Sequence, residues 1–145
     1  MPSCKTDIVK QFLETAIDCD WQKLDGFCHE KFLVRESDAL PYAGVYKGVD
    51  GFRQLAKVIF IDSFKDFKVE PQYYAEGDNQ VLLLAAISGI GKATGIPFSS
   101  QVAEIYLFED DLIKEIRPFY WDTKLINHVL STSVEDGYAS VLKDF

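Results

Sequence analysis

The second half of the sequence contains four strand-like segments whose connecting turns are too short to hold a helix. The segments cover residues 67–75, 80–91, 98–109 and 112–120, and the connections carry the turn sequences EGDN, TGIP and DD. Parallel neighbours need a crossover of a dozen or more residues, whereas antiparallel neighbours need only a tight turn. The sequence therefore predicts an antiparallel meander over this half, which is the strongest single constraint on the fold.

The first half and the end of the sequence show helical periodicity instead. Apolar residues recur at helical spacing over residues 6–17, and Asp20 is placed to cap a short second helix. A short strand is predicted over residues 32–36, a loop over 38–48, and a third helix after that loop. Residues 121–130 return to helix. Helices followed by a strand meander predict the α+β fold class.

The composition favours a soluble chain with a substantial core. Of 145 residues, 48% are hydrophobic, and no apolar run approaches the roughly 18 residues of a membrane span. The net charge is −8 and the basic residues are scattered, so nucleic acid and anionic membranes are poor partners. Three cysteines without C-x-x-C spacing, and no visible signal peptide, predict a cytoplasmic protein without a metal site.

Four short motifs occur along the chain in a fixed order. They are IDCDW at residues 17–21, PYAGVYKGVDGF at 41–52, TGIPF at 94–98 and IRPFYWD at 116–122. Their order and spacing resemble the nuclear transport factor 2-like superfamily, and within it the SnoaL-like and ketosteroid-isomerase-related group. The resemblance covers about residues 6–130, so one SnoaL-like domain is predicted over residues 1–130. Residues 131–145 form a tail, predicted as a short helix or a partly disordered segment.

The resemblance implies a particular architecture but no single activity. It implies a cone-shaped, curved and mostly antiparallel sheet, with the N-terminal helices packed over its concave face and an apolar pocket between them. It also implies a homodimer, because the outer sheet face of such domains often pairs two subunits. Enzymes, carriers and interaction domains share this fold, so the function has to be argued from the residues of the site.

Glu104 lies in the middle of an otherwise apolar strand face. Side chains alternate between the two faces of a strand, so Glu104 shares its face with Val102 and Tyr106. A two-residue turn at residues 110–111 would place Glu104 opposite Arg117 on the next strand. The pair is then either a structural salt bridge or a polar handle that orients a ligand and polarises its oxygen.

Two further carboxylates stand where the resemblance implies acid–base chemistry. Glu36 ends the first strand, at the position where ketosteroid isomerases keep a general base, and desolvation there would raise its pKa. Asp122 matches the position of a pocket acid/base in SnoaL-like cyclases. The alternatives are a solvated strand-end residue for Glu36 and a helix N-cap for Asp122.

Aromatic and apolar residues are expected to form the wall of the pocket. The expected ligand-contacting residues are Phe12, Tyr42, Phe60, Val102, Tyr106, Arg117 and Trp121. The alternative is that the aromatic side chains are ordinary hydrophobic core. Phe12 stands where ketosteroid isomerases place a tyrosine donor, so ketosteroid isomerisation itself is not expected.

The expected function is a SnoaL-like pocket protein that binds a hydrophobic small molecule. As an enzyme it would be a cofactor-independent isomerase, cyclase or dehydratase, in which Glu36, Asp122 and Glu104 transfer protons next to a carbonyl group. No cofactor is expected, and neither nucleic acid nor a membrane is an expected partner. The alternative is a non-catalytic small-molecule-binding or dimerisation module.

Overall fold

A computed structural model describes residues 4–131, and within this range the chain forms four α-helices, a π-helical segment and six strands. The helices are α1 (Lys5–Ile17), α2 (Trp21–Asp25), α3 (Gly48–Lys57) and α4 (Thr123–Leu130), and the π-helical segment Val58–Ser63 follows α3. The strands are β1 (Cys28–Glu36), β2 (Gly44–Lys47), β3 (Phe64–Glu76), β4 (Gln80–Gly91), β5 (Pro97–Glu109) and β6 (Leu112–Tyr120). No helix in this range is long and apolar enough to cross a bilayer. Residues 132–145 of the predicted tail lie outside the described residues.

The strands form one sheet in the order β2-β1-β6-β5-β4-β3. Neighbours pair antiparallel, except that β1 and β6 are parallel. The predicted α+β class is confirmed, and so is the predicted antiparallel meander from β3 to β6. Local turn chemistry explains why the meander was predictable: Asp110 and Asp111 both have positive φ, as a two-residue hairpin turn requires.

The structure differs from the prediction between α2 and α3. β1 begins at Cys28 rather than at residue 32, and β2 occupies part of the predicted loop over residues 38–48. Gly44 pairs with Glu36, so the chain turns back and lies antiparallel beside β1. Local periodicity carries no signal for so short an edge strand, because only pairing with its neighbour defines it.

The inner face of the sheet is the one covered by α1 and α3. Phe12 of α1 is fully buried, and its ring centroid lies 5.3 Å from that of Phe52 on α3 and 6.2 Å from that of Tyr106 on β5. These edge-to-face contacts join both helices to the sheet. The inner-facing residues of β4 are also buried, namely Val81, Leu83, Ala85 and Ile87. The core therefore lies between the helices and this face.

One extra residue in β6 changes which face its side chains reach. Next to the turn that joins them, β5 and β6 pair at the expected register. β6 then holds one residue more than β5 before Leu107 pairs with Glu115. Such a bulge shifts the register by one, and successive residues of a strand point to opposite faces. Glu104 consequently pairs with Pro118, so the expected pairing of Glu104 with Arg117 is wrong.

Candidate functional site

Glu36 and Glu104 lie at the same level of the inner face, on either side of β6. Glu104 of β5 pairs with Pro118 of β6, and Val34 of β1 pairs in parallel with Ile116 of β6. The same parallel register, continued by two residues, places Glu36 beside Pro118. Because neighbouring strands lie about 4.8 Å apart, the two glutamates are separated by about two strand spacings.

Glu36 is a buried carboxyl group with an unsatisfied oxygen. The residue is 3% exposed, and its Oε1 atom has no hydrogen-bond partner among residues 4–131. Burial, which penalises the charged form, and then the nearby charge of Glu104 raise the pKa of Glu36 to about 8. Glu36 is therefore mostly protonated at neutral pH and becomes a base just above it.

Glu104 is the second carboxyl group of the pair. Burial raises its pKa to about 7, and a hydrogen bond with the Tyr106 side chain acts in the opposite direction. Glu104 therefore ionises before Glu36, and its charge then opposes the ionisation of Glu36. Near neutral pH the pair retains at least one proton, whereas two exposed glutamates would hold none.

Three tyrosine hydroxyls lie near Glu36. Tyr42, in the loop between β1 and β2, donates to the Tyr120 hydroxyl at 2.8 Å, and Tyr46 of β2 donates to the main-chain oxygen of Tyr42 at 2.9 Å. Burial raises the pKa of all three phenols, and the charge of Glu36 raises it further. The phenols therefore stay protonated at neutral pH and remain hydrogen-bond donors.

Tyr120 and Tyr46 were not among the site residues expected from the sequence. Tyr120 shares the inner face with Ile116 and Pro118. These residues are spaced by two along the strand, so the sequence does contain a pattern that places Tyr120 on the same face as the apolar Ile116. Tyr46 carries no comparable signal, because it lies on β2, in the segment predicted as a loop.

A cleft opens between the ends of β1 and β6, next to Glu36. The pairing of the two strands ends two residues before Glu36 and Pro118, and Pro118 has no N–H with which to continue it. The cleft has a volume of about 380 Å³. Its lining includes Glu36 and Tyr120 from the inner face, and Arg35 and Arg117 from the outer face. It therefore runs from the outer surface toward Glu36.

The structure brings together most of the residues expected on the inner face. Besides the two glutamates these are Phe12, Tyr42, Val102 and Tyr106, and each of these four side chains is more than nine-tenths buried. Phe12 is fully buried and three aromatic rings pack against it, so the structure places it in the hydrophobic core. Glu36 has the buried environment and the raised pKa expected of it, and its catalytic role stays a prediction.

Arg117 does not reach the inner face. The bulge in β6 turns it outward, where its Nη2 and Nε atoms lie 2.7 Å and 2.8 Å from Oε2 of Glu115. Arg117 and Glu104 therefore do not hold a ligand together, because the two side chains lie on opposite sides of the sheet.

Three other expected site residues lie away from the inner face. Trp121 is 84% exposed beyond the end of β6, and Phe60 is 53% exposed on the π-helical segment, with its ring against Phe67. Neither forms part of the inner wall, because Trp121 lies past the end of β6 and Phe60 lies past the end of α3. Asp122 accepts a hydrogen bond from the Leu125 N–H at 2.9 Å and caps α4, which is the alternative noted from the sequence.

The family that the sequence resembles is confirmed by comparison with known families. A sequence model of the SnoaL-like domain matches residues 9–116, which is well over half of the chain. A comparison with curated proteins gives no significant match.

Solved structures with the same fold cover most of the chain. One is a nuclear transport factor 2-like protein of unknown function from Burkholderia pseudomallei K96243, with 14% identity over 90% of this chain and 99% of that chain and a TM-score of 0.77. TerC, co-crystallised with polyporic acid, has 13% identity over 88% and 98% and a TM-score of 0.74. A putative SnoaL-like polyketide cyclase from Jannaschia sp. CCS1 has 13% identity over 77% and 76% and a TM-score of 0.62. At these identities the likeness shows the fold.

Proposed function

Because this chain belongs to the SnoaL-like family of domains, we propose that it binds a hydrophobic carbonyl compound and transfers a proton at the carbon next to the carbonyl group. Glu36 is the proposed general base. The observation that carries the proposal is the buried carboxyl group of Glu36, which has an unsatisfied oxygen and lies near Glu104. TerC, which shares the fold, was co-crystallised with polyporic acid, and this supports a small-molecule ligand.

The pKa of Glu36 suits a general base that works near neutral pH. A catalytic base is most effective when its pKa lies near the working pH, and that of Glu36 is raised to about 8. The ionised carboxylate takes a proton from the carbon next to the carbonyl, and the electron pair of that bond moves onto the carbonyl oxygen. In a ketone with a neighbouring β,γ double bond, return of the proton to the γ-carbon moves the double bond to the α,β position and gives isomerisation. In a compound with a second carbonyl group, attack of the enolate carbon on that carbonyl, whose oxygen then takes up the proton, gives cyclisation. Neither route needs a cofactor to balance its electrons.

The first test is hydrogen–deuterium exchange at the carbon next to the carbonyl, followed by proton NMR in D₂O. We expect the protein to speed exchange for a member of a panel of hydrophobic ketones, and Glu36→Gln to lower that rate by about 100-fold or more. Glu30→Gln is the matched control, because Glu30 is an exposed glutamate on the same strand. Wild-type exchange in Glu36→Gln, or no exchange for any ketone that binds, would contradict the proposal.

The pH dependence of exchange is a second readout of the same role. Glu36 must be ionised to accept a proton, so we expect the rate to rise with pH and to level off above about 8. A rate that is already constant from pH 5 upward would assign the base to an ordinary exposed carboxylate.

We also propose that the outer face of the sheet pairs two copies of the chain, as the non-catalytic alternative would require. The apolar side chains on this face are the observation that favours it. Partly exposed apolar side chains of the central strands share this face, namely Leu82, Leu84, Ile105 and Leu107. We expect light scattering to give twice the mass of one chain for the wild type, and the mass of one chain for Ile105→Lys. Ile61→Lys is the control, because Ile61 is 57% exposed on the π-helical segment. A monomeric wild type would refute this proposal.

A further inference from the structure

The cleft between β1 and β6 carries two arginines at its outer end. Arg117 donates to Oε2 of Glu115 through both Nε and Nη2, and the Nε atom of Arg35 lies 3.5 Å from the same oxygen. Two guanidinium groups therefore share one carboxylate. One positive charge remains in excess in this trio, in a chain whose net charge is −8.

Both guanidinium groups keep donors that do not face Glu115. Each guanidinium has five N–H donors in a planar fork. Arg117 contacts Glu115 through Nε and Nη2, and Arg35 contacts it through Nε. The side chains of Arg35 and Arg117 are 46% and 44% exposed, so the remaining donors are accessible. A fork of this geometry binds a carboxylate through two parallel hydrogen bonds.

The remaining walls of the cleft suit a small amphipathic molecule. Phe119 and Val45 line it and are 50% and 44% exposed, so they offer apolar surface beside the guanidinium groups. Glu36 and Tyr120 line its inner end. The volume of about 380 Å³ lies within the range of small-ligand sites.

We propose that the substrate handled by Glu36 is a keto acid, whose carboxylate is held by Arg35 and Arg117 at the outer end of the cleft while its carbonyl group points inward. This inference rests on the proposed function and adds the charged group that the substrate must carry. Asp38, an exposed residue on the rim, opposes an anion there. Its removal should therefore tighten binding of the keto acid.

The test compares 4-acetylbenzoate with 4-acetylbenzamide, which have nearly the same shape and differ in charge. By isothermal titration calorimetry we expect the wild type to bind the acid at least tenfold more tightly than the amide. The double variant Arg35→Gln/Arg117→Gln should lose this preference, and Asp38→Asn should increase it. Lys114→Gln is the matched control on the same strand, because Lys114 also forms an ion pair with a single glutamate, Glu109, and it should keep the preference.

The outcomes separate this inference from the proposed function. Equal binding of acid and amide by the wild type, no binding of the acid, or a preference that survives in the double variant overturns the inference. The acetyl methyl group of both probes carries exchangeable protons, so exchange is measured in the same samples. A preference for the carboxylate without exchange supports the binding site and refutes the role of Glu36 as a base. Exchange without a preference supports the role of Glu36 as a base and refutes the carboxylate-binding site.

Discussion

We expect the free energy of unfolding of Glu36→Gln, measured relative to that of the wild type, to rise by on the order of 4 kcal/mol between pH 5 and pH 8. The pKa of Glu36 is about 8 in the folded protein, against an ordinary value of 4.5. Between these values the unfolded chain releases the proton while the folded chain keeps it. Wild-type stability therefore falls by about 1.4 kcal/mol per pH unit over this range, and the loss is complete above the folded pKa. Glutamine does not titrate, so the variant lacks this contribution.

Urea unfolding at pH 5 and pH 8, followed by circular dichroism, measures the effect. Only the change between the two pH values matters, because the unpaired amide that replaces the Glu36 carboxyl group costs a similar amount at both. Glu104 contributes a slope of the same sign below its own pKa of about 7, and it does so in both proteins. Glu30→Gln, an exposed control on β1, should follow the wild type at both pH values. Parallel curves for wild type and Glu36→Gln would show that Glu36 titrates normally.

We expect Phe12→Ala to lower the free energy of unfolding by about 3–5 kcal/mol. Phe12 is fully buried, and its ring lies against Phe32, Phe52 and Tyr106, which belong to β1, α3 and β5. Truncation to alanine removes the contacts that join α1 to the other layers, and it leaves a cavity that the surrounding helices and strands can fill only in part.

Phe60→Ala is the control for this prediction, because it removes the same atoms from a ring that is 53% exposed and that packs at an edge against Phe67. Its cost should stay below about 1 kcal/mol. Chemical denaturation at pH 5, where both Glu36 and Glu104 are protonated, separates this packing effect from their titration. Similar losses for the two variants would mean that Phe12 does not hold the helices on the sheet.

The identity of the candidate base was readable from the sequence, but its environment was not. Glu36 was predicted from a family resemblance and from its position at a strand end. Its pKa is raised first by burial and then by the charge of Glu104, which lies on β5 at the same level of the inner face, with β6 between the two glutamates. A parallel pairing between the first and the last strand has no signature in either strand alone, so the neighbourhood of Glu36 followed only from the assembled sheet.

Arg117 shows how one residue can decide the side of the sheet on which a side chain acts. The turn at residues 110–111 was predicted correctly, and an unbroken ladder from that turn would have placed Arg117 opposite Glu104. The extra residue in β6 moved Arg117 to the outer face and Tyr120 to the inner face. A bulge depends on how β6 fits against both of its neighbours, β5 and β1, and against the helices. The alternation of side chains along one strand does not reveal it.

The sequence by itself determined the features that depend on near neighbours in the chain. The limits of β4 and β6 and the caps at Asp20 and Asp122 all agree with the structure, because turn and capping residues act within a few positions of themselves. Only the tertiary structure decided the strand order, the edge strand β2, the bulge and the cleft beside Glu36. These features arise from hydrogen bonds and packing between segments that are far apart in the sequence. Such contacts form only in the folded chain, so no local sequence pattern encodes them.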